Sequence, residues 1–193
     1  MRRRRPARRA VFLDRDGVIV REVDYLREIG QLEVLRGVPA ALKTLRAAGL
    51  KVVVVTNQSG VARGYFSLAQ LGRIHRALKA RLARAGAKWD ALYFSAHAPA
   101  SRHPWRKPGV GMLEAAARRF GLDLKSSYLV GDTTTDVKTA RNAGCVAVLV
   151  RTGKAGRDGK HPGVEPDKTC RDLPAAARWI LARERGMIRS RAP

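Results

Sequence analysis

The stretch Val52-Val53-Val54-Val55-Thr56-Asn57-Gln58-Ser59-Gly60 decides the fold. Four consecutive β-branched residues leave no polar side chain for either face, the pattern of a strand buried on both sides. The run then breaks into Thr, Asn, Gln, Ser and Gly, as a strand does on leaving a sheet for a turn. Ala10-Val11-Phe12-Leu13 repeats this character and breaks into Asp14-Arg15-Asp16-Gly17. Leu92-Tyr93-Phe94, Tyr128-Leu129-Val130 and Val146 to Val150 complete a set of five short apolar runs.

Helical patterns separate the runs. Val38, Ala41, Leu42 and Leu45 recur at helical spacing, with Pro39 near the start and Gly49 just past the end. Ser67-Leu68-Ala69-Gln70 is a capping-box pattern opening a helix that carries Leu68, Leu71, Ile74, Leu78 and Leu82 on one face and closes at Gly86. Further helices are expected from about Met112 to Phe120, from about Thr135 to Ala143 with Gly144 ending it, and from Leu173 to about Glu184. Strands alternating with helices imply a doubly wound α/β domain, a parallel sheet covered on both faces, with no insertion large enough for a separate cap domain. One such domain is expected over residues 10–185, flanked by disordered tails at 1–9, which is arginine-rich, and 186–193, which is basic.

The 193 residues suffice for one sizeable core, and the 45% hydrophobic content argues against wholesale disorder. No apolar run approaches the ~20 residues needed to span a bilayer, so no membrane partner is expected. Arg8-Arg9 ahead of an apolar run resembles an export signal. Asp14, Arg15 and Asp16 follow too soon for an apolar targeting region, and the expected location is cytoplasmic. Cys145 and Cys170 form no CxxC pair and no disulfide framework, which agrees. The net charge is +23; six arginines among the first nine residues leave +17 on the rest. That charge implies non-specific attraction for polyanions, while no nucleic-acid module motif and no aromatics interleaved with the arginines are present.

In an open parallel sheet the ligand lies beyond the carboxyl ends of the strands, and the chemistry-bearing residues follow the strands here. Asp14 and Asp16 follow the first, Thr56 and Asn57 end the second, and Arg106-Lys107-Pro108 comes in the loop after the third. Gly131-Asp132 ends the fourth, with Asp136 four residues on. Asp14 and Asp132, at adjacent strand ends, would repel unless a cation joined them. A hard Mg2+ suits such oxygen ligands, with waters and a substrate phosphate completing its shell. Thr56 and Lys107 supply a hydroxyl and an ammonium for a phosphoryl group. A carboxylate beside that group can act as its nucleophile, and Asp16 can protonate the leaving oxygen and later activate water. Taken singly, each residue has a plain alternative. The Asp-x-Asp pair fits a turn or cap, Asp132 a helix N-cap, Thr56-Asn57 a strand-ending turn, and Lys107 a solvated lysine.

Together these segments resemble the four motifs of the haloacid dehalogenase (HAD) superfamily. FLDRDGVI (12–19), VVVTNQSGVARG (53–64), RKP (106–108), VGDTTTD (130–136) and VLVRTGK (148–154) are similar to its heptose bisphosphate phosphatase and histidinol-phosphate phosphatase branch. The resemblance implies a phosphoric monoester hydrolase with Asp14 as nucleophile. It makes Asp16 the general acid and base, and its backbone carbonyl a Mg2+ ligand. It also implies that Thr56 and Lys107 bind the transferring phosphate, that Asp132 is a Mg2+ ligand, and that Asp136 orients Lys107 or supports the metal shell. Asn57, Arg63 and Arg106 become candidate substrate contacts, the two arginines for a second phosphate, with plain surface arginines as the alternative.

Members of the branch often hold a structural zinc in the loop after the third strand. Here that loop reads Ser95-Ala96-His97 and His103-Pro104-Trp105, leaving two of four ligands. No zinc is expected, and packing of Trp105, Pro99, Pro104 and Pro108 is expected to hold the loop. The substrate implied is a small phosphorylated molecule, a sugar bisphosphate first, with histidinol phosphate or a polynucleotide 3′-phosphate as alternatives. A monomer is expected.

Overall fold

The computed structural model describes residues 8–189. Its centre is a six-stranded parallel sheet of β1 (Ala10–Leu13), β2 (Lys51–Asn57), β3 (Ala91–Ser95), β4 (Tyr128–Gly131), β5 (Val146–Val150) and β6 (Lys168–Cys170). The spatial order is β3-β2-β1-β4-β5-β6, with Phe12 level with Val53 and Leu129. Strand order therefore reverses between β1 and β4, where a crevice opens beyond the strand ends.

Strand alternation divides the core in two. Val11, Leu13, Val52 and Val54 face a layer of α1 (Val38–Ala47), α2 (Leu68–Arg84) and α5 (Leu173–Arg189). Ala10, Phe12, Val53 and Val55 face α3 (Gly111–Phe120) and α4 (Thr134–Ala143). The Ser67 side chain accepts from the Gln70 backbone, as expected, while the Gln70 side chain donates to the Arg27 carbonyl instead of completing the box. Gly144 ends α4 at a φ of 72°, a conformation that an L side chain resists. Among the described residues, no helix is long and apolar enough to cross a membrane.

Three boundaries differ from expectation. β6 is an additional edge strand. Helix α5 runs to Arg189, so residues 186–189, expected in a disordered tail, are helical. Arg8 and Arg9, expected in the other tail, belong to the fold. Arg8 bridges to Leu122, and Arg9 pairs with buried Glu184 at 2.8 Å. Residues 1–7 and 190–193 of the two expected tails lie outside the described residues.

Candidate active site

Asp14 leaves the end of β1 with its backbone N–H still bonded to the Val130 carbonyl, which fixes where its side chain emerges. Asp132 emerges beside it from the end of β4. Gly17 and Gly153 press against the Asp132 carboxylate from two sides so closely that a Cβ on either would overlap it. Gly17 also has a φ of 72°. The Lys154 backbone N–H donates to Asp132 Oδ2 at 2.6 Å. Asp132 is not the helix cap: Thr133 caps α4 and accepts from the Asp136 backbone, leaving the Asp132 carboxylate to the crevice.

Asp136, at the first turn of α4, uses its two oxygens differently. Oδ2 accepts from the Thr133 backbone at 3.2 Å, closing the capping box, and Oδ1 accepts from Lys107 Nζ at 2.6 Å. Lys107 Nζ also lies 2.8 Å from Asp14 Oδ2. The lysine sits on a loop, and its position comes from Asn57. That side chain donates to the Lys107 carbonyl at 3.1 Å and accepts from the Lys107 N–H at 3.0 Å. Both ends of the Asn57 amide are thus committed to the protein. Thr56 Oγ1 accepts from Gln58 Nε2 at 2.8 Å, so its own proton is free to donate.

Asp14, Thr56, Asn57, Lys107 and Asp132 line a cleft of about 200 Å3, and Asp136 is buried against Lys107. One oxygen from each of Asp14, Asp132 and Asp136 lies within 4.8 Å of the others. Burial, more than any neighbour, pushes the Asp14 carboxyl up to about 6; Lys107 offsets this in part, and the Asp136 and Asp16 charges raise it further. Burial followed by Asp136 and Asp14 pushes Asp132 up to about 8. Lys107 is held above the ordinary lysine range; burial opposes its charge and the two carboxylates more than compensate. Among the described residues, Lys107 is thus the one buried ammonium beside three buried carboxylates. The donors are all hard oxygens with a surplus of negative charge, a set that fits Mg2+.

Several cleft residues were not singled out from sequence. Glu22 lines it, pushed up to about 7 by burial and then by Asp16. Lys154 and Lys160 arrive on the Gly/Lys-rich loop after β5, residues 153–163. Arg106 lines the cleft, while its Nη1 and Nε donate to the carbonyls of His97 and Pro99 at 3.0 and 3.2 Å. Arg63 is exposed beside the Tyr25 ring, close enough that its charge joins burial in holding Arg106 below the usual arginine range. In the loop preceding Arg106, His97 and His103 stack at 3.8 Å. Ser95 Oγ and His97 Nδ1 are 3.0 Å apart, and Trp105 packs edge-on against Tyr93.

A consequence for stability follows from the raised carboxyls. A group whose folded pKa exceeds its unfolded value contributes stability below the unfolded value and loses it as pH rises through the folded one. His75, held down to about 4, acts oppositely, but only below about 6.5. From about pH 6.5 to about pH 8, Glu22 and Asp132 therefore dominate. The chelator-treated protein should melt at lower temperature at pH 8 than at pH 6.5. Added Mg2+, which selects the ionised carboxylates, should raise the melting temperature more at pH 8. A chelated protein that gains stability across this window would contradict the assignment.

A strand-end aspartate facing a lysine and two further aspartates, on a sheet of this order, is the arrangement of the HAD-like phosphatases. The HAD-hydrolase-like family model matches residues 104–176. D-glycero-D-manno-heptose-1,7-bisphosphate 7-phosphatase of Thermosynechococcus vestitus is 42% identical over 190 residues, covering 90% of this chain and 95% of its own. The Pseudomonas aeruginosa D-glycero-beta-D-manno-heptose-1,7-bisphosphate 7-phosphatase is 36% identical over 91% of this chain and 99% of its own. The crystal structure of D,D-heptose 1,7-bisphosphate phosphatase from B. bronchiseptica, complexed with magnesium and phosphate, superposes with a TM-score of 0.81. It is 37% identical, over 91% of this chain and 99% of that one. The chain belongs to this heptose bisphosphate phosphatase family of HAD-like hydrolases.

Proposed function

We propose that the chain is a Mg2+-dependent phosphatase for a heptose 1,7-bisphosphate-like sugar. The observation that carries the reading is the placement of Asp14 between Lys107 and Asp132 at the mouth of the β1/β4 crevice. The side-chain oxygens of Asp14 and Asp132 and the Asp16 backbone carbonyl would hold the metal, which supplies positive charge for the phosphate oxygens when bound. Asp14 attacks phosphorus as the ester P–O bond breaks, and the departing oxygen takes its proton from Asp16. Water then attacks the aspartyl phosphate, gives a proton to Asp16 and releases the Asp14 carboxylate and inorganic phosphate. Lys107 and the Thr56 hydroxyl bind the non-bridging oxygens. Asp136 holds Lys107, and Asn57 holds the backbone that carries it.

Arg63 and Arg106 are the proposed contacts for the second phosphate. They are neighbouring guanidiniums, and among the described residues neither makes a salt bridge, so an anion between them would relieve their repulsion. Stacked histidines, Trp105 and the Arg106 bonds give the adjoining loop its own fastening, which supports a reading without structural zinc. A monomeric, cytoplasmic enzyme is part of the same proposal; both cysteines are free.

A second reading draws on charge. The layer of α1, α2 and α5 exposes Lys43, Arg73, Arg76, Lys79, Arg84 and Arg178. Its single acid, Glu184, is buried. Such a face suits a polynucleotide whose 3′-phosphate enters the cleft. Phosphate release with Mg2+ from heptose and hexose bisphosphates, histidinol phosphate, nucleotides and a 3′-phosphorylated oligonucleotide separates the two. A heptose bisphosphate should be preferred, with Arg106→Ala raising KM about tenfold or more through loss of a charged hydrogen bond. Preference for the oligonucleotide, with activity falling steeply as salt rises, would overturn this and favour the basic face.

A further inference from the structure

Arg15 lies between two acidic residues in sequence, yet its side chain turns inward and is 1% exposed. Its Nε and Nη2 donate to Asp16 Oδ1 at 3.0 and 2.9 Å. Nη2 also donates to Asp16 Oδ2 at 2.8 Å and to Gln58 Oε1 at 2.9 Å. Gln58 closes the ring, its Nε2 donating to Asp16 Oδ2 at 2.9 Å and to Thr56 Oγ1 at 2.8 Å. The orientation of the Asp16 carboxylate is therefore set by one guanidinium and one amide. What sets the guanidinium is its remaining arm: Nη1 lies 3.1 Å from His75 Nε2, on α2.

We propose that His75 is a positioning residue for proton transfer, anchoring Arg15 so that its Nε/Nη2 fork holds the Asp16 carboxylate toward the leaving oxygen. The inference rests on the reading of Asp16 as general acid and base. Arginine has donors only, so Nε2 is the acceptor and the imidazole proton sits on Nδ1. Burial, followed by the Arg15 charge, holds His75 down to about 4, so the ring remains a neutral acceptor at neutral pH. The ring is itself fixed by α2 on one side and by Phe94, 5.7 Å away, on the other. Remove the acceptor and a buried donor is left unpaired. The guanidinium then turns to find another partner and carries the Asp16 carboxylate with it. A displacement of about 1 Å at a reacting group is enough to slow a step by roughly a hundredfold.

The test compares leaving groups in His75→Leu, which keeps the packing on Phe94 without an acceptor, and His75→Gln, which restores an acceptor near Nε2. On heptose bisphosphate, whose departing alkoxide needs a proton, His75→Leu should lower kcat about tenfold or more with KM within about twofold. On p-nitrophenyl phosphate, whose leaving group departs as a stable anion, the single-turnover rate of phosphoryl transfer should change less than about twofold. Hydrolysis of the aspartyl phosphate, in which Asp16 serves either substrate alike, should slow equally for both. His75→Gln should recover most of the loss, and thermal melts should show both variants folded. Equal losses in the phosphoryl-transfer rate on the two substrates, no loss in His75→Leu, or a Gln variant no better than the Leu variant would overturn the inference. Asp16→Asn separates this from the reading beneath it. If Asp16→Asn fails to distinguish the two leaving groups, the role of Asp16 falls; if it distinguishes them and His75→Leu does not, only the role of His75 falls.

Discussion

Asp14→Asn is expected to give a folded protein that releases no measurable phosphate. The carboxylate is the only protein group in the proposed mechanism that bonds to phosphorus, and an amide oxygen is a far poorer nucleophile. Turnover should fall by at least about a thousandfold. The substitution preserves shape: Asn keeps an oxygen for the Arg15 N–H that donates to Asp14 Oδ1 at 2.7 Å. It also removes a charge already disfavoured by burial and by the neighbouring carboxylates. The melting temperature without metal should therefore hold or rise, while the gain on adding Mg2+ shrinks. Residual activity above about one per cent, with normal Mg2+ dependence, would refute covalent catalysis through Asp14.

Lys107→Met is expected to have the largest effect on stability. The lysine is 4% exposed and pairs with Asp14 and with Asp136, which is 1% exposed. Methionine retains most of the stem but leaves Asp136 buried and unpaired, at a cost of roughly 3 kcal/mol. Adding Asp136→Asn should return most of it, because Asn still offers an oxygen to the Thr133 cap and brings no charge to be neutralised. Denaturant melts of the two single variants and the double variant give the coupling directly. A double variant no more stable than Lys107→Met would show that the pair does not act as a unit. Activity should not return in the double variant, since the ammonium that stabilises the transferring phosphoryl group is still missing.

Much of the fold was legible because each buried strand announces itself. Val52–Val55 and Ala10–Leu13 are apolar on both faces and end in polar turns, and the motif residues sit on those ends. β6 was invisible for the opposite reason: Lys168-Thr169-Cys170 is a three-residue edge strand with no apolar run. Helix α5 outlasted its expected end because Gly186 weakens a helix without terminating it. Within the site, the strand-end motifs pointed to part of the crevice lining, but neither to Glu22 nor to how the side chains are held. Asn57, a candidate substrate contact that lines the cleft, also clamps the Lys107 backbone, a role its sequence position does not show. Asp132 had the position of a cap, and Thr133 took that role. Arg15, Gln58 and His75 come from three separate elements, and their contact is a product of tertiary packing that no local pattern encodes.

The pairing of Arg9 with Glu184, which also accepts from the Tyr128 hydroxyl at 2.7 Å, brings the start of β1 against the last helix. Start and finish of the domain are thus neighbours, joined through a charge buried beneath the sheet. A circularly permuted chain, spliced there by a short linker and reopened in an exposed surface loop, would retain every strand pairing and the whole crevice. An exposed loop that carries no site residue is then as good a place for the chain to begin as its present start.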